Sequence, residues 1–269
     1  MRNLIYQFWY GQIPPYAKLS GRRVGKYAEH VGAEHRIDLN SPFFQGPNAN
    51  YMNCLRPIYD RAFEDYDNVL FLDMDIFPIW ELPEECNIFE LEVQGIGMVR
   101  EPLQPELREN STSRINTTND KKWAIAAKAK FNVDVPLDEK HRPLVYNSGV
   151  VYYTKEAREQ ARKWPSYEEY VTSMGGMDRF YLLDQNYLGV MVHSGKTKFT
   201  EMDIKWNSQV HYTGDNTPRD VIDNRVEDTI FVHVQTRPRD ILTDNMIFDI
   251  VNKPVKRWRH RRRELGLLG

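Results

Sequence analysis

The stretch Asn68-Val-Leu-Phe-Leu-Asp-Met-Asp-Ile-Phe-Pro78 runs four apolar residues straight into two aspartates one residue apart. A short, unbroken apolar run of this kind predicts a strand from Asn68 to Leu72, buried on both faces as in a parallel sheet. Two carboxylates on alternate residues point roughly the same way at the strand end. The field of each raises the cost of ionising the other unless a cation lies between them. A polar strand end opening a solvated turn is the other reading of Asp73-Met-Asp75 taken alone.

Working outward, Asn3 to Trp9 reads as a first buried strand closed by Gly11 and Pro14-Pro15. Tyr16 to Val31 has helical spacing and stops at Gly32, Glu34 to Leu39 reads as a second strand, and Met52 to Tyr66 as a helix. Gly95 to Arg100 and Leu144 to Tyr153 read as further strands, with Thr154 an N-cap for a helix through Arg162. Asp178 to Val192 reads helical, and Thr229 to Val234 is a last apolar strand with His233 near its end. Pro102 to Asn119 is polar, Ser/Thr/Asn-rich and without period, and is expected to be a loop. Alternation of strand and helix predicts an α/β domain over residues 1–252, followed by a basic tail at 253–269.

Bulk composition narrows the classes. With 269 residues and 41% hydrophobic content, the chain is long enough for a sizeable core. A net charge near −2 gives no reason to expect a nucleic-acid partner. Cys54 and Cys86 are the only cysteines, too few for a disulfide framework, and are expected as buried thiols in a reducing compartment. No apolar run approaches membrane-spanning length and no signal peptide is evident, so a cytoplasmic location is expected. Lys253 to Arg263 carries seven Lys/Arg, which would suit either peripheral contact with an anionic membrane surface or a plain solvated terminus.

In an open α/β sheet, ligands bind beyond the carboxyl ends of the strands. Trp9-Tyr-Gly11, Asp73-Met-Asp75 and His233 all fall at such ends. Two carboxylates and an imidazole make a mixed oxygen and nitrogen set suited to Mn²⁺ or Mg²⁺. A packed core histidine is the competing reading of His233.

These residues resemble a family. Asp67-Asn-Val-Leu-Phe-Leu-Asp-Met-Asp75 is similar to the DxD signature of GT-A glycosyltransferases, in the form seen in glycosyltransferase family 8, the glycogenin and bacterial galactosyltransferase group. Arg56, Tyr146-Asn-Ser-Gly149, Leu183-Asp-Gln-Asn186, Lys205-Trp-Asn207 and Phe231-Val-His233 follow in that family's order. The opening Ile5-Tyr-Gln-Phe-Trp-Tyr-Gly11 looks more like Och1-type and clostridial-toxin glycosyltransferases. The resemblance implies a GT-A fold, a mixed and mostly parallel central sheet flanked by helices. It also implies metal ligands Asp73, Asp75 and His233, and donor contacts from Gln7, Trp9, Tyr10, Arg56, Asp73, Arg237 and Arg239. Asn147, Asp184 and Gln185 would serve the reacting sugar. The implied activity is metal-dependent transfer of a hexose from a nucleotide diphosphate sugar, UDP favoured over GDP, to a glycan, protein or lipid acceptor, with retention. The same sheet would also suit a nucleotidyltransferase or a non-catalytic sugar-nucleotide-binding module. A haloacid-dehalogenase-type phosphatase shares the apolar strand and Asp-x-Asp but usually has Thr or Val where this chain has Phe77.

Overall fold

The computed structural model describes residues 1–45, 48–109, 111–212, 221–235 and 242–253. The strands are β1 (Asn3–Trp9), β2 (Glu34–Leu39), β3 (Asn68–Leu72), β4 (Ile76–Pro78) and β5 (Ile96–Arg100). They continue with β6 (Tyr146–Thr154), β7 (Phe199–Met202), β8 (Ser208–Tyr212), β9 (Val221–Asp223) and β10 (Phe231–Val234). Among the described residues the helices are α1 (Pro15–His30), α2 (Arg56–Tyr59), α3 (Gln104–Glu109) and α4 (Thr117–Phe131), then α5 (Lys155–Ala161), α6 (Tyr167–Ser173), α7 (Asp184–Met191) and α8 (Asp244–Asn252).

A six-stranded sheet runs β2-β1-β3-β6-β5-β7. All its pairings are parallel except those of β6, which is antiparallel to both β3 and β5. The first residues of β6 therefore lie at the same sheet edge as the last residues of β1, β3 and β5. That edge collects the chemistry. Successive residues of β3 feed opposite cores, Val69 and Phe71 on one face with Trp123 and Tyr187, Leu70 and Leu72 on the other with Val24 and Tyr27. Burial on both faces is why this segment is apolar without alternation.

A second, four-stranded sheet runs β4-β10-β8-β9. Its β4 begins directly after Asp75 and pairs antiparallel with β10, placing Ile76 opposite His233. The Val234 N–H donates to the Asp75 carbonyl at 2.9 Å, so the ladder reaches the aspartate itself. Side chains of this sheet, including Phe77, Val232 and Val234, pack with Leu19 of α1 and Ile247 of α8 in a third apolar cluster.

Three expectations give way, among them the helix over Asp178–Val192, where a 3-10 turn at Arg179–Leu182 and α7 are separated by an extended Leu183. The segment 52–66 is not one helix: a 3-10 turn at Met52–Leu55, α2, and a second 3-10 turn at Arg61–Phe63 follow one another. Asp60 is extended between the last two, and its side chain accepts from Ala62 N at 2.9 Å, which starts a new turn and ends the old one. The segment 102–119, expected to be a loop, holds α3 and the start of α4. Asn116 caps α4 by accepting from Asn119 N at 2.9 Å. Arg108 donates to Asp120 Oδ1 at 2.9 Å, and the Tyr181 hydroxyl donates to the same oxygen at 2.8 Å. Arg108 and Asp120 are buried. Tertiary pairing, rather than periodicity, orders this stretch. Asp120→Ala strands the buried guanidinium and is expected to cost about 3 kcal/mol in a urea titration, within the range for breaking a buried pair; an unchanged midpoint would rule out that role.

Candidate active site

Asp73 and Asp75 follow β3, and His233 arrives beside them through the β4–β10 ladder. Their ligand atoms all lie within 4.8 Å of one another. His233 and Asp75 are buried, and Asp73 is partly so. His233 Nε2 is 3.1 Å from Asp75 Oδ1 and 3.1 Å from Gln235 Nε2. A ring nitrogen lone pair facing a carboxylate oxygen at that distance needs a proton or a cation to relieve the repulsion. The donor set and its spacing fit a hard divalent ion.

The imidazole has room only because position 149 is glycine. A Cβ there would lie 2.7 Å from His233 Cε1 and 2.8 Å from Asn147 Oδ1. Asp73 N donates to the Gly149 carbonyl at 2.8 Å, so the start of β6 also fixes the first aspartate.

A cleft of about 410 Å³ opens over the three groups, lined by Trp9, Tyr10, Tyr51, Asn147, Gln185 and Gln235 together with Asp73, Asp75 and His233. Trp9 is tied by its indole N–H to the Gln12 carbonyl at 3.2 Å and meets Tyr16 edge-on at 6.0 Å. Tyr10 and Tyr51 stand at the mouth, each about half exposed. A larger cavity of about 800 Å³ lies between the segment Ile79–Glu81 that follows β4, Arg225 and α8, and contains none of the expected site residues.

Asp184 opens α7 next to Gln185 but does not line the cleft. Burial raises its carboxyl above the ordinary aspartate range, partly offset by hydrogen bonds from Ser148 and Cys54. The Cys54 thiol lies 3.4 Å from Asp184 Oδ2, and burial together with the Asp184 charge holds it well above the usual thiol value. Both cysteines are free and buried.

Two expected donor contacts sit elsewhere. Gln7 is fully buried in β1, where its amide N–H groups reach Ser20 Oγ and the Asp73 carbonyl, both at 3.3 Å, and its Oε1 lies 3.1 Å from His35 Nε2. The pleat points it into the sheet interior, so it steadies the strand behind the site. Arg56 is held between Asp38 at 2.7 Å and Asp60 at 2.8 Å, away from the cleft lining. Arg237, Arg239 and residues 254–269 lie outside the described residues.

Several residues of the site carried no recognised signal. Tyr51 falls in a stretch without period. Glu101, which supports Asn147, follows β5 at the same sheet edge as Asp73. Extending the strand-end rule by one residue beyond Arg100 would have found it.

No family model and no curated protein matches the sequence. Among solved structures, the chain is similar to galactosyltransferase LgtC in complex with donor and acceptor sugar analogs, at 11% identity and a TM-score of 0.50, covering 96% of this chain and 99% of that one. Mouse xyloside xylosyltransferase 1 is similar at 14% identity over 87% of this chain and 97% of that one, with a TM-score of 0.47. A glycosyltransferase involved in glycosylation of the major capsid of PBCV-1 matches at 13% identity over 87% of this chain and 92% of that one, with a TM-score of 0.43. The chain has the GT-A fold, and the three structures named above are glycosyltransferases. Among the described residues no helix is long and apolar enough to cross a membrane.

Proposed function

We propose that this protein is a divalent-metal-dependent glycosyltransferase that moves a hexose from a nucleotide diphosphate sugar, UDP-linked in preference to GDP-linked, to a glycan, protein or lipid acceptor. The observation that carries the reading is the convergence of Asp73, Asp75 and His233 at one cleft with Trp9, Asn147 and Gln185. The fold supports it as analogy.

Asp73, Asp75 and His233 would hold Mn²⁺ or Mg²⁺, which when bound supplies Lewis-acid neutralisation of a diphosphate leaving group. Trp9 offers an aromatic face to the nucleotide base, with Tyr10 beside it at the mouth. Arg237 and Arg239 are assigned to the diphosphate from the sequence alone. Amide groups of Asn147 and Gln185 line the wall where an electron-poor sugar would sit. Asp184 is assigned to the sugar hydroxyls from the sequence alone, since it does not line the cleft. An amide is a poor nucleophile, so the reading favours attack on the face from which the leaving group departs, with retention, over a covalent glycosyl intermediate.

The test is a thermal-shift panel of UDP-, GDP- and CMP-sugars with and without Mn²⁺, followed by product analysis. A rise confined to one donor class and dependent on the metal, with release of nucleoside diphosphate, is expected. Release of pyrophosphate would instead identify a nucleotidyltransferase. Donor binding without turnover or hydrolysis would identify a binding module.

A further inference from the structure

Behind the cleft, Asn147 belongs to a buried polar chain that the reading above does not use. Its Oδ1 accepts from Gly149 N and from Asn207 Nδ2, both at 2.8 Å. Its Nδ2 donates to Glu101 Oε1 at 2.6 Å, and the same carboxylate oxygen accepts from Gln209 Nε2 at 2.8 Å. Glu101, Asn147, Asn207 and Gln209 are each no more than 6% exposed. The Glu101 backbone is itself fixed, its N–H donating to the Val145 carbonyl at 2.8 Å.

An asparagine amide carries two N–H donors and one oxygen with two lone pairs. In Asn147 the oxygen is full and one N–H is committed, which leaves a single N–H on a side chain that lines the cleft. Turning the amide over would set its oxygen against the Glu101 carboxylate and its NH₂ against the Gly149 N–H. Two such like-with-like contacts in a low-dielectric interior forbid the flipped state.

We propose that Glu101 is a positioning residue that locks the Asn147 amide so that it meets the ligand only as a hydrogen-bond donor. At that point the cleft then selects a lone-pair oxygen, of a sugar hydroxyl or of a phosphate. The identity of the ligand rests on the nucleotide-sugar reading, while the lock rests on the hydrogen bonds alone.

The test exchanges the two functional groups. Asn147→Asp places a buried carboxylate against Glu101 and is expected to lower the melting temperature by about 6 °C or more. Combining Glu101→Gln with Asn147→Asp reverses the donor and acceptor roles: an amide nitrogen in place of the shared carboxylate oxygen donates one N–H to the carboxylate at 147 and the other to Gln209, whose amide turns over to present its oxygen. Most of the lost melting temperature is expected to return. The double variant nevertheless has no N–H to offer at position 147. With Mn²⁺ present, UDP and UDP-glucose are compared with GDP and GDP-mannose. If the N–H meets the sugar, the extra thermal shift of the conjugate over the bare nucleotide disappears in the double variant. If it meets a phosphate, the shifts of nucleotide and conjugate shrink together. The lock is overturned if Asn147→Asp melts within about 1 °C of wild type, or if the double variant is no more stable than that single one. Should none of these ligands shift the wild type, the function reading fails and the melting comparison alone still decides the lock.

Discussion

Asp75→Ala is expected to abolish metal-dependent turnover of a nucleotide sugar, by at least about a thousandfold, because a divalent ion contributes several kcal/mol of charge stabilisation to a departing diphosphate. The fold should survive. Asp75 joins the β4–β10 ladder through its backbone carbonyl, which accepts from Val234 N and is untouched by the substitution. Removing the side chain also removes one of two neighbouring carboxylates whose mutual repulsion opposes folding when no metal is bound. That relief offsets the loss of the 3.1 Å contact to His233, so metal-free stability should change by less than about 1 kcal/mol. Wild-type turnover in this variant would remove the metal assignment. A collapsed circular-dichroism spectrum would mean that Asp75 is structural.

The second large effect comes from a residue with no functional group. Gly149→Ala introduces a methyl that would lie 2.7 Å from His233 Cε1 and 2.8 Å from Asn147 Oδ1. Neither neighbour is the free end of a flexible chain, since His233 and Asn147 are both buried and Asn147 is held by three hydrogen bonds. Overpacking of this kind costs about 1–3 kcal/mol. Some of that strain is relieved by pushing the imidazole away from Asp73 and Asp75, so Mn²⁺ affinity should fall about tenfold or more, comparable to the loss of a residue that orients a metal ligand. Mn²⁺ titration followed by electron paramagnetic resonance reads this directly, without any substrate. An affinity equal to wild type would show that the ring has room to spare.

How much of this was legible depended on where the determining physics lay. β1 and β3 took the bounds read from their runs because a strand buried on both faces writes its apolar character into consecutive residues, and β2, a half-buried edge strand, took its bounds as well. Thr154 was legible as an N-cap, and its hydroxyl accepts from Ala157 N at 3.1 Å. The three-residue β4 was not, because so short a strand has no period of its own and exists through its pairing with β10. α4 was missed because its anchors, Arg108 to Asp120 and Trp123 to the Tyr170 hydroxyl, are tertiary. At the site, Asp73, Asp75, His233, Trp9, Tyr10, Asn147 and Gln185 were placed at one cleft by strand-end reasoning and motif order together. Gln7 and Arg56 were carried by motif order alone. Strand pleat decided the first, and the nearby carboxylates Asp38 and Asp60 decided the second.

The β4–β10 pairing also has a bearing on how the chain reaches this state during synthesis. The two aspartates and the strand that follows them leave the ribosome some 150 residues before the histidine strand, since Ile76 pairs with His233. Until then Ile76, Phe77 and Pro78 have no strand partner, and an unpaired apolar edge is prone to non-native association. The large sheet can form most of its ladders early, whereas the small sheet waits for its middle strand. Chains cut short before about residue 231 would therefore lack His233 and also display the surface that invites aggregation. Bringing His233 to Asp73 and Asp75 and removing that sticky edge are one folding event.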